Sequence, residues 1–515
     1  MSIQNAKKFG FFTALSMTLG SVVGIGIFLK NFSIIRSQQM GAPAGFENTF
    51  SFWSMIVSWV ISSIISLCAA LSFAEISTCR TSKSGLSGWV EQLGNQKLGK
   101  IVRVSHNNFY YAILGSLLPF LAVEGLYNAI DLGVNGNGAG NNVHFGYVFL
   151  GGLIILGGLF IVNFLSIRGV GIIQNSSLIL KIIPIALVAV IGLTNANNSI
   201  IIDNPNGAEN SANNVLATPS TQWFSINGMF VAIPSVLFSF DSFLNIGLLS
   251  TDVKNPKRNV PLITIFTVVI AAAIYILIAI GAGLTGLGGA GDILKTVLPA
   301  DDAIGRSALD ITINVFITIS AIGVCNSIVA SLLRSSDALI ETKQIMFARF
   351  FHNLSQRKQG LGPLVLSLFS TFFYFLIFGI TAIVLDNDAV IDSATNAPVL
   401  IFFFVYAFTI ALAIKDRFTK KQCQKIKGFM VCAPIAIIGT LIAMIYVFFY
   451  QNIVLVVENP NQVSSAGLFF TGSSQSNYQW LSKDNATLFW VMIAWLIIFP
   501  IINDLVIKKT NFSNF

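Results

Sequence analysis

Charge is scarce in this chain. Lys, Arg, Asp and Glu make up 10% of its 515 residues, against about 25% in soluble domains. So few charges cannot clothe a water-facing surface, and lipid must be the solvent for much of the molecule. Cysteine and histidine are also sparse. The five cysteines (Cys68, Cys79, Cys325, Cys423, Cys432) show no C-x-x-C spacing, and the three histidines (His106, His144, His352) lie near or beyond the ends of apolar runs. Neither a disulfide framework nor a zinc site is expected from them, and the lack of an H-E-x-x-H pair argues against a membrane metalloenzyme. Two glycine-rich stretches, Gly136–Gly140 and Gly281–Gly291, follow no strand and open no soluble helix, so no phosphate cradle and no direct use of ATP are expected. No spacing pairs the few ionisable groups into a catalytic constellation. The chain reads as a non-enzyme without a cofactor.

Apolar residues are what it has in quantity: 54% of the chain is hydrophobic and the mean hydropathy is +0.76. About 20 apolar residues in a helix cross the hydrocarbon. Twelve segments qualify, near 9–29, 53–74, 109–130, 146–165, 172–193, 224–249, 262–285, 311–333, 364–385, 398–414, 429–450 and 487–502. The tenth and twelfth are short by this reading. All must be helical, because backbone groups in lipid need partners within their own segment. The first run is longer than a signal-peptide core and no clean cleavage site follows it, so it reads as a span.

The basic residues test this layout. With the N-terminus cytoplasmic, 24 of the 30 Lys and Arg fall in inner segments and five in outer ones, with Lys181 alone inside a span. That bias predicts a multi-pass protein of the cell membrane with both termini cytoplasmic. It also accounts for the net charge of +8: the excess faces the inner leaflet and its lipids, not nucleic acid. Loops 194–223 and 451–486 are rich in Asn, Ser, Gly and Gln and read as outer covers.

Two spans are weakened as helices. Span 1 reads Gly20-Ser21-Val22-Val23-Gly24-Ile25-Gly26-Ile27-Phe28, and span 6 reads Ile233-Pro234-Ser235-Val236-Leu237-Phe238-Ser239-Phe240-Asp241-Ser242-Phe243. Glycine and proline free backbone groups, which persist in lipid only where they line a cavity or bind something. Close packing is the competing explanation, since Gly20-x-x-x-Gly24 also fits a helix-packing motif. The two spans are, however, the first members of two five-span halves. An odd number of spans per half inverts the second relative to the first, and interrupted segments at matching positions point to a transport site.

Five motifs in order extend this. Gly24-Ile25-Gly26-Ile27-Phe28 resembles the GSGIF signature of the amino acid–polyamine–organocation superfamily, and Phe73-Ala74-Glu75-Ile76 resembles its second-helix close. Gln174 and Lys181 repeat its fifth-helix spacing, Phe238–Phe243 resembles its sixth-helix motif, and Asp252–Pro261 is similar to its E-x-K-N-P-x-[KR]-x-[IV]-P run. The likeness covers residues 9–430. It implies an all-α membrane protein of the LeuT type: twelve helices with two inverted five-helix repeats, working by alternating access. The divisions would be 1–193 (tail and helices 1–5), 194–223 (outer loop), 224–414 (helices 6–10) and 415–515 (helices 11–12 and tail).

The resemblance further implies an amino acid as substrate, held by Ser21, Val22, Gly24, Ile25 and Gly26 on span 1 and by Phe238, Ser239, Phe240 and Asp241 on span 6. Backbone NH groups near Gly24–Gly26 would meet the carboxylate, carbonyls near Phe238 and Ser239 the amino group, and Phe238 would lie over the substrate. Ile25 stands where the family has serine, Ser242 where it has glycine, and Leu86 breaks a Gly-Gly pair. Asp241 either attracts a cationic group or is a locally hydrogen-bonded carboxyl at the helix break. Lys181, about 14 Å into its helix, is too deep to reach the interface. Either it is a structural tie to helix-end carbonyls, or its amine takes an ion's place among Gly20, Val23, Asn326 and Ser327, and its proton couples transport. The other functional readings are a polyamine or organic-cation carrier and, from another class, a channel or scaffold without turnover.

Overall fold

The computed structural model describes residues 10–24, 34–35, 49–79, 84–135, 144–194, 218–285, 293–294, 296–299, 302–385, 387–461 and 480–512. Among these, eleven helices are long and apolar enough to cross a membrane, and the twelfth apolar helix, Phe11–Val22, is the start of span 1. The spans are Phe52–Ile76 (2), Gln96–Asn135 (3), Phe145–Leu165 (4), Ile167–Thr194 (5), Ile226–Ser239 with its continuation to Asp252 (6), Pro256–Thr285 (7), Ala303–Glu341 (8), Leu361–Leu385 (9), Ala389–Phe418 (10), Phe429–Glu458 (11) and Ser482–Phe512 (12).

Spans 10 and 12 run to 30 and 31 residues, far longer than their apolar windows. A hydropathy window stops at Asp392 and Asn396, whereas the helix runs through both, with the Asn396 amide donating back to the Asp392 carbonyl within it. Span 3 carries a wide turn at His106–Tyr111, a local widening of the kind found at functional sites.

Burial separates core from periphery. The most apolar window of span 3 is 94% buried and that of span 12 only 11%, so span 3 is an axis of the bundle and span 12 turns its apolar surface outward. Spans 3 and 8 pack together, as do 2 and 7, and span 1 touches the interrupted part of span 6. Each pair joins matching members of the two halves, as a two-fold relation between inverted repeats requires.

The structure adds one feature to the loop reading and corrects one sequence expectation. The segment read as the end of an outer loop contains a strand, Thr218–Ser220 (β2), paired in parallel with Thr49–Ser51 (β1). This ties the entries to spans 2 and 6, and short strands of three residues carry no periodicity to read. The cysteines also hold a disulfide, Cys79–Cys423, with Cα atoms 4.7 Å apart across 344 residues of sequence. Spacing could not show it, because the partners meet only when the close of span 2 packs on the loop after span 10. Beside it the Glu75 carboxylate pairs with Arg417 and accepts the Ile426 amide at 2.6 Å.

Candidate functional site

Both weakened spans do break, and at facing positions. The helix of span 1 ends at Val22, and Val23 leaves helical geometry (φ −74°, ψ 87°). In span 6 the helix ends at Ser239, Ser242 takes a left-handed conformation (φ 70°, ψ −2°), and Phe243–Asn245 resumes as a tight turn. Left-handed backbone favours glycine. The left-handed backbone at Ser242 accounts for the glycine of the family motif at this position: the break itself has that geometry.

Tyr275 of span 7 joins the two breaks. Its hydroxyl lies 2.9 Å from the Val22 carbonyl oxygen and 3.0 Å from that of Ser239. One hydroxyl carries one proton, so it donates to one carbonyl at a time, and among the described residues the other is left an acceptor in need of a donor. Tyr275 is wholly buried, its ring packed on Trp59 and Phe240. Motif reading missed it, although the lone tyrosine inside span 7 was a signal, since a buried phenol usually finds a polar partner.

Lys181 is also wholly buried, and its amine lies 2.7 Å from both the Gly20 and the Val23 carbonyl oxygens. These are carbonyls freed where span 1 stops being helical. Span 8 packs closely against span 5 here: a Cβ on Gly323 would collide with Ser177 Oγ and reach ordinary contact, 3.9 Å, with the Lys181 amine. Asn326 faces elsewhere. Its amide donates to Val170 O (3.1 Å) and Gln174 Oε1 (3.5 Å) and accepts from Asn163 (2.9 Å). The helix 8 neighbour of the amine is therefore Gly323, one turn before Asn326, and Ser327 is buried on the same helix.

The other candidates divide. Gly24 is pressed against span 8, where an added Cβ would lie 2.7 Å from Val324 Cγ2. The Ser21 hydroxyl turns back to the Thr18 carbonyl at 2.7 Å. Phe240 is buried against Tyr275, while Phe238 is partly exposed. The Phe238 carbonyl accepts the Asp241 amide at 3.1 Å, which leaves Ser239 O as the acceptor at the break. Ile25 and Gly26 lie outside the described residues.

Asp241 has partners. Tyr110 of span 3 donates to one carboxylate oxygen, and Tyr406 of span 10 approaches the other at 3.3 Å. Tyr111 bonds Asn245 Oδ1 at 2.9 Å, and His106 stacks on Phe402. Asp241 is 6% exposed. It anchors the span 6 break to spans 3 and 10, which supports the locally hydrogen-bonded reading over attraction of a cationic group.

The amino acid permease family model matches residues 9–472. The chain belongs to the amino acid permease family. It is 25% identical over 351 residues to the serine/threonine exchanger SteT of Bacillus subtilis, covering 66% of this chain and 70% of that one. It is 20% identical to the human b(0,+)-type amino acid transporter 1, covering 86% and 82%. The crystal structure of MhsT in complex with L-phenylalanine matches with a TM-score of 0.54 at 15% identity, covering 85% of this chain and 97% of that chain. At that identity the likeness speaks for the fold: this permease is an almost wholly helical LeuT-type membrane protein.

Proposed function

We propose that this permease is a secondary transporter that moves an amino acid across the cell membrane by alternating access. The observation that carries the mechanism is the meeting of both breaks at Tyr275. A bound zwitterion has three ammonium donors and a carboxylate, and the break presents Ser239 O and Val22 O with only one proton between them. An ammonium group supplies the missing donor, and backbone NH groups after Val23 are assigned to the carboxylate. The relatives' names, a serine/threonine exchanger and a b(0,+)-type amino acid transporter, support the substrate class.

Coupling to protons is assigned to Lys181. Protonated, its amine ties span 5 to the carbonyl end of span 1; without its proton the tie weakens and span 1 is free to move. Exchange is the second reading, favoured by the name of SteT. The count of 24 inner against five outer basic residues supports cytoplasmic termini. A radiolabelled amino acid panel in proteoliposomes, with and without a proton gradient, tests all of this. Uptake of one or more amino acids with counterflow is expected. Flux that saturates with none of them, or that lacks counterflow, overturns the carrier reading. Accumulation driven by the gradient selects proton coupling, and uptake that requires internal amino acid selects exchange.

A further inference from the structure

One buried acid lies well away from the two breaks. Glu124 sits on span 3, fourteen residues beyond Tyr110, hence roughly 21 Å along the helix. Its residue exposure is 0%, and among the described residues neither carboxylate oxygen has a hydrogen-bond partner. Asn128 and Asp131 follow at the spacing of one helix face, 7% and 3% exposed. Across the seam stand Asn387, Asp388 and Asp392 at the start of span 10, the first two 0% and 1% exposed. Asp388 and Asp392 are the charged groups whose field acts on Glu124.

The rest of the surroundings offer no counter-charge among the described residues. Spans 4 and 9, both packed on span 3, contain no charged residue at all. Span 8 brings Asp310 and Arg306, and the Arg306 guanidinium is directed to the Pro299 and Leu298 carbonyls at 2.9 and 3.1 Å. Nearby donors of span 8 are committed to their own helix: Thr318 to Asn314 O at 2.8 Å and Asn314 to Asp310 O at 2.9 Å. That span is close, for a Cβ on Gly125 would lie 2.9 Å from Thr318 Oγ1.

An ionised carboxylate enclosed without a donor or a cation, and facing other carboxylates, costs more than a protein interior sustains. The smallest occupant that removes the cost is a proton, which needs no cavity. We propose that the seam between spans 3 and 10 is a proton-binding site, with Glu124 as the neutral acid that holds the proton while the seam is closed. The proton comes from the aqueous phase at that end of the bundle and returns to it when the spans part. What the proton does for transport rests on the carrier reading; its presence does not.

Infrared spectroscopy of the full-length protein in nanodiscs at pH 7 tests this at rest, with no substrate. The C=O stretch of an un-ionised carboxyl is expected in the wild type, lost in Glu124→Gln and kept in Asp392→Asn. Because Glu124→Gln replaces one neutral group with another of the same shape, it should fold. If it does not, carboxyl carbon-13 labelling of the wild type replaces it: glutamate label should shift the band. No band at pH 7, a band unchanged in Glu124→Gln, or a band shifted by labelled aspartate alone overturns the proposal. An inactive carrier in the proteoliposome panel would leave this spectrum unaltered, so the two readings fail separately.

Discussion

Replacing Tyr275 by Phe removes one oxygen and nothing else. The ring stays packed on Trp59 and Phe240, with centroids 5.6 and 5.1 Å away, so no cavity larger than the hydroxyl opens. What is lost is the donor shared by Val22 O and Ser239 O. A net hydrogen bond is worth about 1 kcal/mol, and a buried acceptor left without a donor costs about 1–3 kcal/mol. The hydroxyl has one proton, so the loss counts once, at about 2 kcal/mol. In the empty protein that cost appears as lower stability. In the complex the ammonium group has donors enough for both carbonyls, but the joint that held them at its spacing is gone, so binding must bear the cost of ordering the breaks. At about 1.4 kcal/mol per tenfold, substrate affinity should fall by roughly 10- to 30-fold. The assay is equilibrium binding, to purified protein in nanodiscs, of the radiolabelled amino acid that the wild type transports best. Tyr374→Phe is the control. That hydroxyl is also buried and bonded, to Asn108 and Trp495, but lies outside the breaks, so it should cost stability with affinity unchanged. If Tyr275→Phe binds as the wild type does, or if both variants weaken binding equally, the reasoning about the breaks is wrong.

Lys181→Met should lose pH-dependent accumulation and lower the melting temperature, because the Gly20 and Val23 carbonyls each lose a donor worth about 1–3 kcal/mol. Uptake assayed from pH 5 to 8 decides it, and wild-type pH dependence in the variant leaves Lys181 a structural tie. Ser242→Gly should melt at or above the wild-type temperature, whereas Ser242→Val should cost about 1–2 kcal/mol, since the backbone there is left-handed; equal melting of both variants refutes the strain. Asp241→Asn should leave the preference between cationic and neutral amino acids unchanged in competition assays while lowering stability by about 1–3 kcal/mol, as its carboxylate is engaged by Tyr110 and Tyr406. Cysteines placed singly in 195–217 and 462–479 should react with impermeant thiol reagents from outside intact cells, and labelling only after permeabilisation reverses the orientation.

The sequence by itself determined that this protein lives in a membrane, that it crosses it many times as helices, and where two of those helices fail. Those follow from local properties: about 20 apolar residues suffice for a span, and glycine, proline and a mid-span carboxylate act on their own helix. Gln174 and Lys181 were marked by the family resemblance, Lys181 also as the one basic residue inside a span, and the break at Phe238–Phe243 by the proline and carboxylate of its own helix. Only the tertiary structure decided which groups meet at the breaks. Tyr275 lies 36 residues from Ser239 and 253 from Val22, Tyr110 and Tyr406 lie 131 and 165 from Asp241, and Cys79 lies 344 from Cys423. Nothing periodic in a sequence encodes such pairs. Asn326 shows the same limit at short range: its helix was anticipated, but which residue of that helix faces Lys181 depends on rotation about the axis. The packing of span 8 on span 5, with Gly323 admitting the Ser177 side chain, set that rotation. In lipid a buried polar group is stable only against a partner, and the partner is chosen by how the helices pack.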